Sequence, residues 1–131
     1  MDRYLLETNT VSYLFRSEGR VAEHLAAVAV GCVSISAITE AELQYGLARR
    51  PSDKLAKAVG EFLLRVPVLP WTSDTAESYG KLPAALEKDG FTIALHDLLI
   101  AAHAYQVGAT LVSRDHVFAH IPHLEAVDWY V

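Results

Sequence analysis

The sequence predicts a three-layer α/β/α sandwich with a mainly parallel central sheet, and three observations predict it. Short apolar runs rich in β-branched residues ("RYLL", "CVSIS", "PVLP", "ATLVS", "AVDWYV") alternate along the chain with longer amphipathic segments. A strand-helix-strand alternation closes by right-handed crossovers, which bring the strands side by side in one direction. The length of 131 residues and the 52% hydrophobic content supply one core of ordinary size and no second, so residues 1–131 are expected to form a single domain.

The elements follow in order. "RYLL" reads as a short buried strand, and "TNTVSYLFRS" offers Thr8 or Asn9 as the cap of a helix with Val11, Leu14 and Phe15 on one face. "RVAEHLAAVAV" carries Val21, Leu25 and Val28 along a helical stripe that Gly31 ends before the strand "CVSIS". "AITEAELQYGLARR" is helical by its Ala, Glu and Leu content and is closed by Pro51. Ser52-Asp53 caps the next helix, whose apolar face is Leu55, Val59, Phe62 and Leu63; the "PVLP" strand follows. "TSDTAESYGKLPAALEKDG" is capped and amphipathic, with Pro83 expected to kink or split it and Asp89-Gly90 to stop it. "HDLLIAAHAYQVG" is a helix ending at Gly108, "ATLVS" a strand, "DHVFAHI" a helical turn or two, and "AVDWYV" the last strand.

Composition narrows the function. A formal charge of −5 argues against a surface that binds nucleic acid generally, yet it does not exclude a nucleic-acid enzyme whose acidic pocket is reversed by bound cations. No apolar run approaches the roughly 18 to 20 residues that cross a bilayer, and Met1-Asp2-Arg3 leads into a strand rather than a signal sequence, so a cytoplasmic protein is expected. The single Cys32 has no partner for an internal disulfide and sits in an apolar run, which predicts burial.

In such folds the working site lies beyond the carboxyl ends of the strands. Glu7 ends the first strand, and Asp115 stands two residues after "ATLVS". Glu40 and Glu42 are about 200° apart around their helix, so only one faces a cleft. Glu42 is favoured because small Gly46 follows one turn later, while Glu40 sits nearer the first turn, where a carboxylate favours the helix dipole. Asp97 opens the most apolar helix, where the ordinary role is an N-cap. Singly, each acid has such an ordinary role. If Glu7, Glu42, Asp97 and Asp115 converge, their repulsion needs protons or cations to compensate, and hard oxygen donors select Mg2+ or Mn2+.

The segments "YLLETNTVSYL", "SISAITEAELQYGL", "HDLLIAAHAYQVGATLVSRDHVFAHI" and "VDWYV", in this order and separation, resemble the PIN-domain family and, within it, the VapC toxins of bacterial toxin–antitoxin pairs. The resemblance runs through nearly the whole chain. It implies a PIN-like fold and a metal-dependent endoribonuclease, with Mg2+ or Mn2+ held by Glu7, Asp97 and Asp115. Glu42 would bind metal or orient the attacking water. It also implies supporting polar roles for Thr8, Asn9 and Ser113, a small VapB-type antitoxin wrapping the early helices, homodimers, transfer RNA as the favoured substrate class, and DNA contact only through the antitoxin. The family's pattern after the first strand is Asp-Thr-Asn, whereas this chain has Glu7-Thr8-Asn9. The added methylene keeps the charge but moves it. Mg2+ wants oxygens at about 2.0 to 2.1 Å in an octahedron, and catalytic groups tolerate about 0.5 Å of misplacement, so reduced turnover is expected.

Other residues divide between ordinary and functional roles. Arg114 is a candidate for a substrate phosphate at the pocket rim, or a surface arginine paired with a nearby acid. Arg49 and Arg50 suit a helix C-terminus. His116, His120 and His123 do not form a zinc pattern, because Pro122 interrupts the helical spacing and no cysteine pair or HExxH accompanies them. His103 reads as a partly buried, satisfied imidazole. Tyr4, Tyr13, Phe15, Phe62 and Trp129 are core by spacing, while Tyr45, Leu14, Phe15 and the "RVAEHLAAV" stripe offer a partner surface. Two alternatives stand beside the nuclease: a catalytically impaired binding module that occupies antitoxin, and a phosphoacceptor receiver domain. The second fails at "PVLPW", which supplies no acceptor Asp.

Overall fold

A computed structural model describes residues 2–29, 31–88, 90 and 93–131. Five strands, β1 (Tyr4–Leu6), β2 (Val33–Ser36), β3 (Val68–Leu69), β4 (Thr110–Val112) and β5 (Ala126–Val127), form one sheet in the order β3-β2-β1-β4-β5. Every pairing is parallel, from Leu5 opposite Ser34 and Leu111 on its two sides to Val112 opposite Val127. The helices are α1 (Thr8–Phe15), α2 (Val21–Ala27), α3 (Ala37–Arg49), α4 (Asp53–Arg65), α5 (Ser73–Lys88) and α6 (Leu95–Val107), with a 3-10 helix at His116–His120.

The pleat of the central strands sorts the core into two halves. Leu5 and Leu111 point into a cluster with Leu98, Ile100, Ala101 and Phe118, whereas their neighbours Leu6 and Val112 point into one with Val11, Val21, Leu43, Val59 and Phe62. Successive side chains of a strand face opposite ways, so a strand covered on both sides must be apolar throughout. That is why the strands read as continuous apolar runs. Cys32 is buried, as its neighbourhood predicts.

Several boundaries differ from the sequence reading. The cap of α1 is Glu7, not Thr8 or Asn9; its carboxylate reaches the Thr10 N–H. α2 ends at Ala27, because Val28 is already extended (φ −95°, ψ 156°) and stops the helix before Gly31. α5 runs from Ser73 through Pro83 to Lys88 without splitting, since a proline removes one ladder bond and the helix formers around it keep the rest. Of its expected Asp89-Gly90 stop, Asp89 lies outside the described residues. The last strand keeps only Ala126–Val127. Beyond it the Asp128 carboxylate accepts from the Tyr130 N–H at 2.8 Å, a local turn that competes with the ladder.

Other expectations hold. Ser52 caps α4 by accepting from Leu55 N at 3.2 Å, and Gly108 ends α6 in the left-handed conformation (φ 71°). No helix among the described residues is long and apolar enough to cross a membrane.

The turn after β5 folds Trp129 and Tyr130 back over α1 and α2. Trp129 packs on Tyr4 at 5.1 Å, and Arg20 N donates to the Tyr130 carbonyl at 2.9 Å. Gly19 makes this approach possible. It has φ +63°, and a Cβ there would lie 2.7 Å from the Tyr130 ring and its carbonyl oxygen. Gly19→Ala is therefore expected to destabilise the chain by about 1–3 kcal/mol, read as a lower midpoint in a urea melt followed by circular dichroism.

Candidate active site

The chain leaves β1 toward β2 and β3 on one side and later returns to place β4 and β5 on the other, so the strand order reverses between β1 and β4. In an open parallel sheet the crevice beyond the carboxyl ends at such a reversal is the place for a ligand. A cavity of about 340 Å³ lies there, lined by Glu7, Asn9, Tyr13, Ser113, Arg114 and Asp115.

Glu7 is held at its floor. Its N–H donates to the Val112 carbonyl at 3.0 Å, extending the β1–β4 pairing by one residue. Its Oε1 accepts from Thr10 N at 2.7 Å, and the Thr10 hydroxyl lies 3.2 Å from Oε1 and 3.0 Å from the Val112 carbonyl. The Glu7 carboxylate thus turns back onto the first turn of α1 and caps it. The side chain is 3% exposed, and burial is the main cause that raises its pKa above the usual 4.5; hydrogen bonds from Asn9 and Thr10 oppose this, and the charge of Asp97 adds to it.

Glu42, the acid preferred over Glu40, faces the same region; a Cβ at Gly46 would meet open space, so solvent reaches that side. Its orientation comes from Thr8. The Thr8 hydroxyl donates to Glu42 Oε1 at 2.6 Å and lies 3.3 Å from Thr39 Oγ1, tying the start of α1 to α3. Asp97 is not an N-cap. Ala94 holds that position without a side-chain bond, and Asp97 sits in the first turn of α6 with its carboxylate uncommitted to backbone. Burial raises its pKa above the usual 3.8, His96 opposes, and the charges of Asp115 and Glu42 raise it further. Asp115 caps the 3-10 helix through Oδ1, which accepts from Val117 N at 3.0 Å. Ser113 shapes this turn by accepting from Asp115 N at 3.1 Å.

The four carboxylates therefore share one electrostatic field, although Glu42 and Asp97 do not line the cavity itself. Among the described residues, no three acidic, His or Cys side chains are gathered closely enough to hold a metal ion as they stand. The donor set nonetheless suits a hard cation. Glu42 and Asp115 each engage a single oxygen in the hydrogen bonds seen among the described residues, and Glu7 accepts from the first turn of α1. An open set of this kind matches an ion that keeps several waters, as Mg2+ does.

Arg114 makes no ion pair with a nearby acid among the described residues. Its guanidinium stacks on the Tyr130 ring, 3.7 Å from the centroid. His103 is buried, as anticipated: its Nδ1 lies 2.7 Å from the Ser36 hydroxyl, and burial lowers its pKa, leaving it neutral. Ser36 also caps α3 by accepting from Ile38 N, so this pair locks α6 to the helix that carries Glu42. Sequence reasoning missed Thr10, Thr39, Ser36 and Tyr130. Thr10 was within reach, because it stands at the third helical position from an acidic cap, where a side chain meets its N–H. Tyr130 carries no periodic signal.

Comparison with known proteins finds relatives that match nearly the whole chain. The PIN-domain model matches residues 4–124. The chain is 32% identical to "Ribonuclease VapC2" of Rickettsia felis over 96% of this chain and 97% of that protein. It is 29% identical to "tRNA(fMet)-specific endonuclease VapC" of Salmonella typhimurium, over 98% and 99% of the two chains. The crystal structure of VapBC2 from Rickettsia felis bound to a promoter DNA fragment superposes with a TM-score of 0.90 at 32% identity, covering 96% of this chain and 98% of that one. A family model that spans residues 4–124, with relatives covered over nearly their whole length, makes this chain a member of the PIN-domain family, within its VapC group.

Proposed function

We propose that the chain is a Mg2+- or Mn2+-dependent endoribonuclease, the toxin half of a VapBC-type toxin–antitoxin pair, with transfer RNA as its substrate class. The observation that carries this reading is the meeting of Glu7 and Asp115 at one cavity beyond the strand ends, with Glu42 held nearby by Thr8 and Asp97 feeling the charges of Asp115 and Glu42. Glu7, Asp97 and Asp115 would hold the cation. When bound, it supplies charge relief to the phosphodiester and a more acidic water. Glu42, fixed by Thr8, orients that water; Thr10 and the backbone of α1 keep Glu7 from swinging. Ser113 holds the turn that presents Asp115, and Asn9 stands exposed at the cavity wall for the substrate.

Glu7 blunts the enzyme in this reading. Its Oε1 is committed to capping α1, so the remaining oxygen meets the cation from a lengthened side chain. That same commitment favours the second reading, a binding module with little turnover.

The partner surface is an apolar groove of about 650 Å³ between α1, α2 and α4, lined by Leu14, Leu25, Val28 and Leu64 among others. Leu64 is 87% exposed. The structural relatives from Rickettsia felis and Salmonella typhimurium are VapBC complexes bound to DNA. We assign the groove to an apolar antitoxin segment, with DNA reached only through that partner, and a homodimer as the toxin's own assembly. The working compartment is the cytoplasm, where such RNA resides.

Two outcomes are expected. With total RNA and Mg2+ or Mn2+, the chain cleaves, EDTA stops cleavage, and Asp97→Asn lowers it at least about 100-fold; cleavage indifferent to Asp97→Asn would sink the assignment. Glu7→Asp raises kcat about 10- to 100-fold. No cleavage by the unaltered chain, with antitoxin still bound, supports the module instead.

The pH dependence has a definite sign. Glu7 and Asp97 have folded pKa values raised above their ordinary ones, so the folded chain keeps protons that the unfolded chain releases. Their contribution to stability is full below the unfolded values and is lost as pH rises through the folded ones. In EDTA, Asp97→Asn should therefore melt higher than the unaltered chain at pH 7.5, and this difference should shrink toward pH 4. Mg2+ should raise the unaltered chain's Tm more at pH 7.5 than at pH 5, because protons compete for the same oxygens.

A further inference from the structure

Tyr130 lies outside the sheet and beside the cavity. Arg114 is stacked on its ring at 3.7 Å, and the Tyr13 ring meets it edge-on at 5.0 Å and 76°. Tyr13 and Arg114 both line the cavity with Glu7 and Asp115. The Tyr130 backbone is pinned at both of its polar groups, by Arg20 N on its carbonyl and by the Asp128 carboxylate on its N–H. Gly19 closes against the ring.

Arg114 is exposed and forms no ion pair among the described residues, although Asp115 is its neighbour and Glu7 shares its cavity. Its ring stack leaves the N–H donors of the guanidinium edge available, and a planar fork suits a phosphate. A cation fixed at the rim also answers an electrostatic need: a chain of net charge −5 with an acidic cavity repels a polyanion unless a positive group meets it first. A free arginine would lose much side-chain freedom on binding, and one already laid on a ring loses less.

We infer that Tyr130 is a positioning residue that holds Arg114 over the cavity mouth as a clamp for an RNA phosphate next to the one cleaved. This rests on the ribonuclease reading and adds to it the pair that sets RNA affinity. The hydroxyl of Tyr130 has no part in it; the ring face does.

The test is steady-state cleavage of a fluorescein-labelled single-stranded RNA oligonucleotide by the full chain, with binding of the same RNA measured in EDTA by fluorescence anisotropy. Arg114→Ala and Tyr130→Leu should each raise KM and Kd about tenfold and leave kcat within about twofold. Tyr130→Phe should match the unaltered chain. The double variant should bind no more weakly than Arg114→Ala, because Tyr130 acts through Arg114. Each single variant should also reduce the salt dependence of binding by about one phosphate contact.

Additive losses, or a Tyr130→Leu chain that folds and binds RNA normally, overturn the inference. If Tyr130→Leu fails to fold, Arg114→Lys decides: it keeps the charge but not the planar stack, so weakened binding supports the ring-held clamp and full affinity overturns it. An unaltered chain that neither cleaves nor binds RNA sinks the ribonuclease reading and this inference with it. Cleavage by the unaltered chain with Tyr130→Leu unchanged sinks this inference alone.

Discussion

A buried carboxylate without a cationic partner survives only if donors surround it, and the contact between Glu7 and the first turn of α1 is the case on which this molecule turns. β1 is the middle strand, paired on both sides, so its end is the one point from which elements on either flank can be reached. Capping α1 there fixes the direction of α1, and with it Thr8, which in turn holds Glu42. The Thr10 hydroxyl reaches between Glu7 and the Val112 carbonyl, joining the same point to β4 and the turn that bears Ser113 and Asp115. Replacing the carboxylate would disturb a cap, a strand pairing and a charge cluster together.

The fold was legible because parallel strands buried on both faces must be apolar throughout, and "YLL", "VSIS" and "TLV" are nearly so. Strand order was not legible, because nothing local tells β4 to insert beside β1 rather than beside β3. Boundaries were read least well where side chains compete for backbone. Glu7 takes the cap from Thr8 and Asn9, and Asp128 withdraws Tyr130 from the last strand.

Of the site, Glu7 and Asp115 could be placed at strand ends, Asp97 only at the opening of an apolar helix, and Glu42 preferred over Glu40 from helix geometry. The preference named the space beside Gly46, which is open, and did not foresee the Thr8 hydroxyl that holds Glu42. Arg114 shows the limit of reading from neighbours. Its partners were sought among adjacent acids, and the one it uses lies sixteen positions away on a segment with no periodic signal. Such contacts follow from the turn after β5, which only the assembled sheet defines.

The wide separation of the joined parts has a consequence for how the chain comes to exist in a cell. Thr10 and Val112, which meet beneath the acids, are 102 positions apart, and β4 can dock against β1 only after α5 and α6 have been made. A nascent chain still lacking its final quarter carries Glu7 and Glu42 but has neither Asp115 nor the strand that positions it. In a protein built this way the four acids gather only after β4 and the turn beyond it have been made.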